Sequence, residues 1–433
     1  MRKVLIHAGM SPLEQPSLDR VFEQQLFTTN SGNLLFQYGT YRTLMTGDTE
    51  FVTRFLDRKD VDDAFIERAN QECACVVLPM ANNFRESYSL RALTRLVKKL
   101  RIPCVVVGIG LQARDPSLIG QGFPFDEGAK AFVRAVLDHS AMIGVRGEMT
   151  ADYLASLGFV PERHFTVIGC PSMYSRGSRL PEVRQTKLSA DSRVCFNYRI
   201  DQPIELAELL NRGMRAFPDY RIVVQRREEM FMIRYHRSLI YSYQGANRCA
   251  HLYPHDYSHP ALKAGRIAGF ASAAAWLEHM RGMDYNMGSR IHGNIAAVLA
   301  GTPTLALTLD TRMEELCRYH NIPHIPASQL NTGVDPARLL EGVDYSEIHR
   351  GHDARFRHFL DFLNANGLAH IYSNGDSPAE APLDRALAAL PKWGEIAPET
   401  DVPLSTLLEG FRQQKLWQLH NGLRVLAMKA RGK

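Results

Sequence analysis

Short apolar runs alternate with segments of helical periodicity along residues 1–175. The runs lack the apolar–polar alternation of half-exposed strands, which is typical of parallel strands buried on both faces. One intervening segment, 90–100, is apolar at positions 93, 96, 97 and 100, the spacing of an amphipathic helix. The alternation predicts a doubly wound parallel sheet. We expect its strands at 4–6, 75–78, 104–107, 143–145 and 166–168, with further helices at 129–137 and 150–157.

A second series of the same kind follows a polar segment that contains Arg, Ser and Pro. This segment, 176–192, is predicted to link an N-terminal α/β domain (1–175) to a C-terminal α/β domain (193–372). The second domain has strand-like runs at 193–198, 221–225 and 305–307, and a predicted closing helix at 353–363.

The predicted tail, 373–433, begins with a segment rich in Pro, Ala and acidic residues. Leucines then recur at helical spacing over 404–433, and the chain ends in basic residues. We expect this helix to dock on the body of the protein or on a partner subunit of a homo-oligomer. A helix that lies on a membrane surface is the alternative.

Composition narrows the class of protein. A chain of 433 residues is too long for one hydrophobic core, in agreement with two domains. The net charge of +5 gives no argument for nucleic acid and is compatible with acidic small molecules or an anionic membrane surface. The seven cysteines are odd in number and scattered, which indicates free thiols in a reducing compartment.

No targeting or membrane-spanning segment is evident in the sequence. Residues 1–7 are predicted to form a first strand and not a secretory signal. No apolar stretch approaches the roughly 18 residues that a membrane helix needs. We therefore expect a cytoplasmic protein; association with the inner face of the membrane is the alternative location.

Residues 288–303 are the most informative stretch of the chain. Arg290 and His292 stand two positions apart, just ahead of a small apolar run that predicts a helix. The free N–H groups and the dipole at a helix N-terminus favour an anion. Arg290 adds a fork for carboxylate or phosphate, and His292 adds a group that moves protons near neutral pH. Taken alone, an Arg-x-His pattern is more often a surface arginine beside a core histidine.

The same stretch resembles the signature of the polysaccharide pyruvyltransferase family. In that family a Ser-x-Arg-x-His segment opens a helix, a Gly-x-Pro follows, and a basic residue comes after the next strand. Ser289, Arg290, His292 and Arg312 match this pattern. Weaker matches in the family's order lie at 29–33, 105–112, 145–148 and 168–172.

Two positions depart from the family pattern. Asn33 stands where the family usually has Asp, so a charge-based role there is in doubt. Arg312 stands where the family usually has Lys, and arginine cannot serve as a proton shuttle as lysine can.

The resemblance implies transfer of a pyruvyl group from phosphoenolpyruvate to two hydroxyls of a sugar, forming a cyclic ketal. The acceptor would be a polysaccharide or its oligosaccharide precursor, which can be lipid-linked. Two Rossmann-like domains would face a central cleft, as in the glycosyltransferase B fold. His292 is the expected proton donor, and Ser289, Arg290, Arg312 and Arg146, which follows the strand at 143–145, are the expected donor-binding residues. Phosphoenolpyruvate is a co-substrate, and we expect no cofactor.

Candidates for the acceptor side come from polar segments that follow predicted strands and from one histidine-rich loop. Histidines at 251, 255 and 259 have a helical metal-site spacing, but prolines at 254 and 260 break that helix, so we favour a sugar-binding loop over a metal. Arg226 and Arg227 follow the strand at 221–225 and are further anion-binding candidates. The acceptor candidates are Asn30, Asn33, Asn82, Asn83, Arg85, Glu86, Tyr253, His255 and Tyr257.

Two other functions stay open at this stage. A nucleotide-sugar glycosyltransferase on the same architecture would need a nucleoside-binding Glu and a base-stacking pocket, and the sequence identifies neither. A non-catalytic module that binds anionic polysaccharide would leave His292 without a role. A dinucleotide enzyme is disfavoured, because Gly108 and Gly110 lack the third glycine of the fingerprint.

Overall fold

The computed structural model describes residues 1–113, 116–236, 252–256, 258–331, 333–373 and 381–397, and in the tail residues 403–405, 408, 412 and 419. They form two α/β domains, each built on a parallel sheet, and the larger apolar core contains side chains from both. The predicted pair of doubly wound Rossmann-like domains is confirmed. Within these residues no helix is both long and apolar enough to cross a bilayer.

Strands and helices alternate in the first domain. In chain order they are β1 (Arg2–His7), α1 (Leu18–Glu23), α2 (Gly32–Leu44), β2 (Thr49–Arg54), α3 (Asp63–Glu72), β3 (Cys75–Pro79), α4 (Arg91–Val97), β4 (Cys104–Val107), α5 (Asp126–Leu137), β5 (Ile143–Val145), α6 (Glu148–Ser156) and β6 (Phe165–Val167). The sheet order is β2-β1-β3-β4, and all pairs are parallel. The parallel pair β5-β6 continues the sheet through a bridge between Ile109 and Val145.

The second domain repeats the alternation. Its elements are β7 (Val194–Asn197), α7 (Ile204–Ala216), β8 (Arg221–Val223), α8 (Arg227–Tyr235), α9 (Pro260–Lys263), β9 (Ile267–Phe270), α10 (Ala273–Arg281), β10 (Tyr285–Gly288), α11 (Ile291–Leu299), β11 (Thr304–Thr308), α12 (Thr311–His320), β12 (His324–Pro326) and α13 (Pro336–Glu341). The strand order β12-β11-β10-β7-β8-β9 is parallel throughout. Strands β8 and β9 are added on one side of β7, and strands β10 to β12 on its other side. Open α/β sheets bind ligands at the point where the strand order reverses in this way, here between β7 and β10.

Helix α2 lies between the two domains and was not predicted from the sequence. It has no solvent-exposed face, since nearly all of its residues are buried. It packs against α10 and α11 of the second domain and against a short 3-10 turn at Pro171–Tyr174. A helix covered on every side loses the amphipathic period by which surface helices are recognised.

The helix expected at 353–363 exists as α14 (His352–Ala365), but it does not close the second domain. It returns to the first domain, where His358 bonds Thr166 of β6 (Nε2 to Oγ1, 2.8 Å) and Asn366 Oδ1 accepts the Ala141 N–H (3.0 Å). Its apolar stripe, which includes Phe359 and Phe362, is buried. Periodicity predicts such a stripe without indicating which sheet it covers.

The segment after residue 380 belongs to the folded body, whereas the sequence placed it in a tail. It forms α15 (Pro382–Ala388) and β13 (Glu395–Ile396), and β13 adds an antiparallel edge strand beside β9. Asp384 of α15 receives hydrogen bonds from the buried Arg42 of the first domain, with Nη2 at 2.7 Å. The segment thus connects both domains. Most of 404–433 lies outside the described residues.

Candidate active site

The Arg290 segment lies at the reversal point of the second sheet. The backbone N–H of Arg290 donates to Asn197 Oδ1 at the end of β7 (2.9 Å), and the N–H of Ser289 donates to the Asn197 carbonyl (2.7 Å). A buried network of Asn197, Asn286 and Asn294 joins these elements, with amide-to-amide bonds of 3.0 Å. Buried amides that are fully bonded hold a segment in one conformation. The network therefore fixes the turn that leads into α11.

The Arg290 side chain is committed to protein partners. Its Nε donates to the Tyr198 carbonyl (2.8 Å), and its Nη2 pairs with Glu229, which is completely buried. The Ser289 hydroxyl donates to Gln202 Oε1 (2.7 Å). Both residues lie where the sequence predicted, at the entrance of α11, but in this structure they stabilise the second domain and leave at most part of Arg290 for a ligand.

Arg146 occupies the corresponding place in the first domain, directly after β5. Its side chain is fully buried, with Nε donating to the Gly108 carbonyl (2.7 Å) and Nη2 to the Met80 carbonyl (3.2 Å). Nη1 has no hydrogen-bond partner, and among the described residues no carboxylate comes within ion-pair distance of the guanidinium. Burial lowers the pKa of Arg146, and Arg312 lowers it further. A buried cation without a carboxylate is unusual and indicates a place for an anion.

His292 faces Arg146 from the second domain. The Phe36 ring of α2 is a neighbour of both, with its centroid 5.3 Å from the Arg146 Cζ and 6.0 Å from the His292 ring centroid. A Cβ at Gly32 would come within 2.5 Å of His292 Nδ1, so this close approach of α2 requires glycine. The His292 Nε2 is buried and has no hydrogen-bond partner among the described residues.

The protonation state of His292 differs from the expectation of a ready proton donor. Burial holds the pKa of His292 well below its ordinary 6.5, and the nearby charges of Arg146 and Arg312 lower it further. The imidazole is therefore neutral at pH 7 when the site holds no anion. An anion placed among these cations would act in the opposite direction and raise the pKa.

Arg312 completes the cluster from the first turn of α12. Its Nη2 bonds Asp310 Oδ2 (3.1 Å), and its Nε is buried and has no partner within the described part of the chain. The Arg312 charge lowers the pKa of both Arg146 and His292, because the three side chains lie close together. We call Arg146, His292 and Arg312 the cationic cluster, after its two arginines. They come from different segments and meet where the two domains face each other.

One of the predicted acceptor residues lies beside this cluster. A Cβ at Gly110 would be 3.0 Å from Asn82 Oδ1 and 3.1 Å from Arg146 Cδ, so Asn82 and Arg146 are neighbours. The Asn82 Oδ1 is buried, and no described residue is its hydrogen-bond partner. Asn83 instead bonds its own loop, where its Oδ1 accepts the Ala81 N–H (2.9 Å). Arg85 contacts Gln112 (Nη1 to Oε1, 3.4 Å), and Glu86 is exposed.

The asparagines at 30 and 33 use their side chains within their own turn. Asn30 Oδ1 accepts the Gly32 N–H (2.8 Å), and Asn33 Nδ2 donates to Thr28 Oγ1 (2.7 Å). Asn33 Nδ2 also donates to the Phe27 carbonyl (3.2 Å), a bond that an aspartate could not make, because an ionised carboxylate has no donor. The turn also joins the domains, since the Ser31 N–H donates to the Gln225 carbonyl (2.8 Å). One amide atom of each asparagine, Asn30 Oδ1 and Asn33 Nδ2, is thus used within this turn at the interface.

The histidine-rich loop does not have the expected character. Tyr253 is completely buried, and its hydroxyl donates to Glu229 (2.8 Å), so it is not a surface for stacking on a sugar. His255 is partly buried and bonds the Tyr253 carbonyl (3.0 Å). Tyr257 lies outside the described residues. Within the part of the chain that the structure describes, no group of His, Cys, Asp or Glu is arranged to hold a metal ion.

The two arginines after β8 have acidic neighbours. Arg226 bonds Asp201 (3.1 Å), and Arg227 is buried at 4.0 Å from Glu228.

Two residues near the cationic cluster were not identified from the sequence. They are Phe36 of α2, whose ring is close to Arg146 and His292, and Glu315 of α12, whose charge acts on Arg146. A periodicity analysis could not find Phe36 because α2 is buried all round.

This chain is only distantly similar to proteins of known structure. The UDP-GlcNAc 2-epimerase of Neisseria meningitidis is 9% identical over 84% of this chain and 100% of its own, with a TM-score of 0.45. The enzyme of the same name from Methanocaldococcus jannaschii is 10% identical over 84% and 99%, with a TM-score of 0.45. The UDP-N-acetylglucosamine 2-epimerase of Rickettsia bellii is 11% identical over 84% and 96%, with a TM-score of 0.42. No curated protein matches this chain.

A family model gives a more specific result. The model described as polysaccharide pyruvyl transferase matches residues 27–311, more than half of the chain. This range contains Asn82, Arg146, Arg290 and His292, and it ends one residue before Arg312. The chain belongs to the polysaccharide pyruvyl transferase family.

Proposed function

We propose that this protein transfers a pyruvyl group from phosphoenolpyruvate to a sugar of a polysaccharide or its oligosaccharide precursor and forms a cyclic ketal. Family membership supports a pyruvyl transfer to a sugar. The observation that carries the choice of donor is the Arg146 guanidinium, which is fully buried and, among the described residues, has no carboxylate within ion-pair distance and no partner for its Nη1. The protein works as a transferase with phosphoenolpyruvate as co-substrate, in the cytoplasm where the sequence analysis places it.

The cationic cluster suits the donor's charges. Phosphoenolpyruvate carries a carboxylate and a phosphate on the same carbon, C2, so it needs at least two cationic contacts held in a fixed relation. Arg146 contributes from the first domain and Arg312 from the second, so the donor would bridge the two domains. Charge-assisted hydrogen bonds contribute about 1.5–3 kcal/mol each, and more where water is excluded. Arg290 takes a lesser part, since Glu229 already pairs with it.

His292 is the proton donor in this proposal. The dianionic donor raises the pKa of His292 by offsetting the charges of Arg146 and Arg312, so the imidazole gains a proton when the donor binds. That proton passes to C3 of the enol, which becomes the methyl group, and C2 becomes electrophilic. One sugar hydroxyl then adds to C2, and the C2–O bond to phosphate breaks.

The second sugar hydroxyl closes the ketal ring on C2. Of the two hydroxyl protons released, one restores His292 and the other leaves with phosphate, so atoms and charge balance. The Asn82 Oδ1 accepts a hydrogen bond from a hydroxyl of the acceptor sugar. It lies next to the phosphoenolpyruvate anion, and a carbonyl oxygen can bond only to a group that supplies a hydrogen. Its position beside Arg146 brings that hydroxyl near C2.

The test is phosphate release from phosphoenolpyruvate in the presence of candidate lipid-linked oligosaccharides. We expect release that depends on the acceptor, with a product whose mass increases by one pyruvyl ketal. Arg146→Met should lose this activity, whereas the neighbouring surface change Asp152→Asn should keep it. If acceptor modification instead requires a nucleotide sugar and phosphoenolpyruvate is not consumed, the protein is a glycosyltransferase and the proposal is wrong.

A further inference from the structure

Glu315 of α12 makes a buried contact across the two domains. Its Oε2 accepts the backbone N–H of Thr150 at the start of α6 (2.8 Å), and both of its oxygens lie within 3.3 Å of the Thr150 hydroxyl. A Cβ at Gly147 would come within 2.0 Å of the Glu315 Cγ, so the chain before α6 has room for this side chain only because that residue is glycine.

Both ends of the contact lie one helical turn from a member of the cationic cluster. Arg312 and Glu315 are three residues apart on α12 and share a face of that helix. Arg146 directly precedes Gly147, at the entrance of α6. A movement of α12 relative to α6 would therefore change the distance between the two guanidinium groups.

Thr150 extends the contact toward the acceptor side. Its hydroxyl accepts the N–H of Leu111 (3.0 Å), the residue after Gly110, and a Cβ at Gly110 would touch both Asn82 and Arg146. The Glu315 carboxylate also occupies the N-terminal N–H of α6, so that helix end is not free for the donor anion.

We propose that Glu315 is a positioning residue that sets the separation of Arg146 and Arg312 by joining α12 to α6. The inference rests on the proposed function, in which those two arginines bind phosphoenolpyruvate together. Glu315 would not touch the substrate, and it would act through the placement of the two guanidinium groups.

A structural role alone accounts poorly for a charged group here. Burial raises the pKa of Glu315 to about 7, although the hydrogen bonds from Thr150 and the charge of Arg146 act in the opposite direction. Ionising this carboxylate in the folded protein therefore costs stability as the pH rises toward neutral. A residue kept at such a cost is expected to serve binding or catalysis.

The experiment measures phosphoenolpyruvate affinity by calorimetry and the KM and kcat of the full-length protein. We expect Glu315→Gln to weaken donor binding about 10- to 100-fold, the size associated with a misplaced binding group, while kcat at saturating donor changes less. Thr150→Val should act in the same direction with a smaller effect. Glu314→Gln is the matched control, because Glu314 is the next residue on α12 and pairs with Arg318, outside the site.

A double variant separates positioning from a general loss of structure. In the Arg312→Met background, Glu315→Gln should cause little further loss of donor affinity, since the residue through which it acts is gone. Full additivity, or wild-type affinity in a folded Glu315→Gln protein, would overturn the inference. If the wild-type protein does not bind phosphoenolpyruvate at all, the proposed function fails instead, and the two failures are distinguishable.

Discussion

Arg146→Met tests whether the first domain's buried cation is a donor-binding group. The substitution keeps an unbranched side chain of similar length and removes the charge. Without ligand it removes two hydrogen bonds to the carbonyls of Gly108 and Met80, which costs stability, and it also removes a buried charge without a carboxylate, which restores stability. These effects oppose each other, so we expect the free energy of unfolding of the ligand-free protein to change by less than about 2 kcal/mol.

Arg146→Met should change phosphoenolpyruvate binding more than folding stability, because every contact that it removes favours binding. Loss of the charge-assisted contacts of Arg146 should cost about 3 kcal/mol of binding free energy, which is about a 150-fold increase in Kd. Phosphoenolpyruvate at 100 times the wild-type Kd stabilises the wild-type protein by about 2.7 kcal/mol. At the same concentration the variant should gain only about 0.3 kcal/mol.

Denaturant unfolding with and without phosphoenolpyruvate, supported by calorimetry, measures both quantities. Arg42→Met is the matched control, since Arg42 is also a buried arginine but bonds the carboxylate of Asp384. It should lose about 1–3 kcal/mol of stability, less than a fully buried pair because Asp384 is partly exposed, and should keep the full ligand-induced gain. If Arg146→Met gains as much stability from the donor as the wild type does, the cation is structural and the donor binds elsewhere.

Three further predictions address the rest of the site. His292→Gln should lower single-turnover rates about 10²–10⁴-fold with only a small change in donor Kd, and a normal rate with weaker binding would make His292 an anion contact. Arg312→Lys should retain most activity in the phosphate-release assay, whereas Arg312→Met should lose most of it; an active Met variant would exclude Arg312 from the site. The pKa of Glu315 is raised from 4.5 to about 7, so between these pH values the folded state holds a proton that the unfolded state has released. The free energy of unfolding should therefore fall by roughly 3 kcal/mol as the pH rises from 4.5 to about 7. Unfolding measured from pH 5 to 8 should show a shallower fall for Glu315→Gln, and an unchanged slope would contradict the raised pKa.

The candidate site was predictable from the sequence only where its residues are close along the chain. The Arg290–His292 segment combines a strand exit, a helix entrance and two chemically active side chains within a few positions, so a local pattern was enough to identify it. Asn82 and Arg146 could be listed because each follows a buried strand. Their meeting at Gly110 could not be predicted, since it depends on how β3, β4 and β5 lie side by side.

The sequence by itself determined the alternation of strands and helices, and with it the two doubly wound sheets, because hydrophobic period is a local property of the chain. It could not determine which side chains are consumed by the fold: the pairing of Arg290 with Glu229 joins positions 61 residues apart. It also missed α2, whose buried surface has no period, and it assigned α14 to the wrong domain, because an apolar stripe does not specify its partner. Only the tertiary structure decided that Arg146 is buried and that, among the described residues, no carboxylate lies within ion-pair distance of it, since both properties arise from contacts between distant segments.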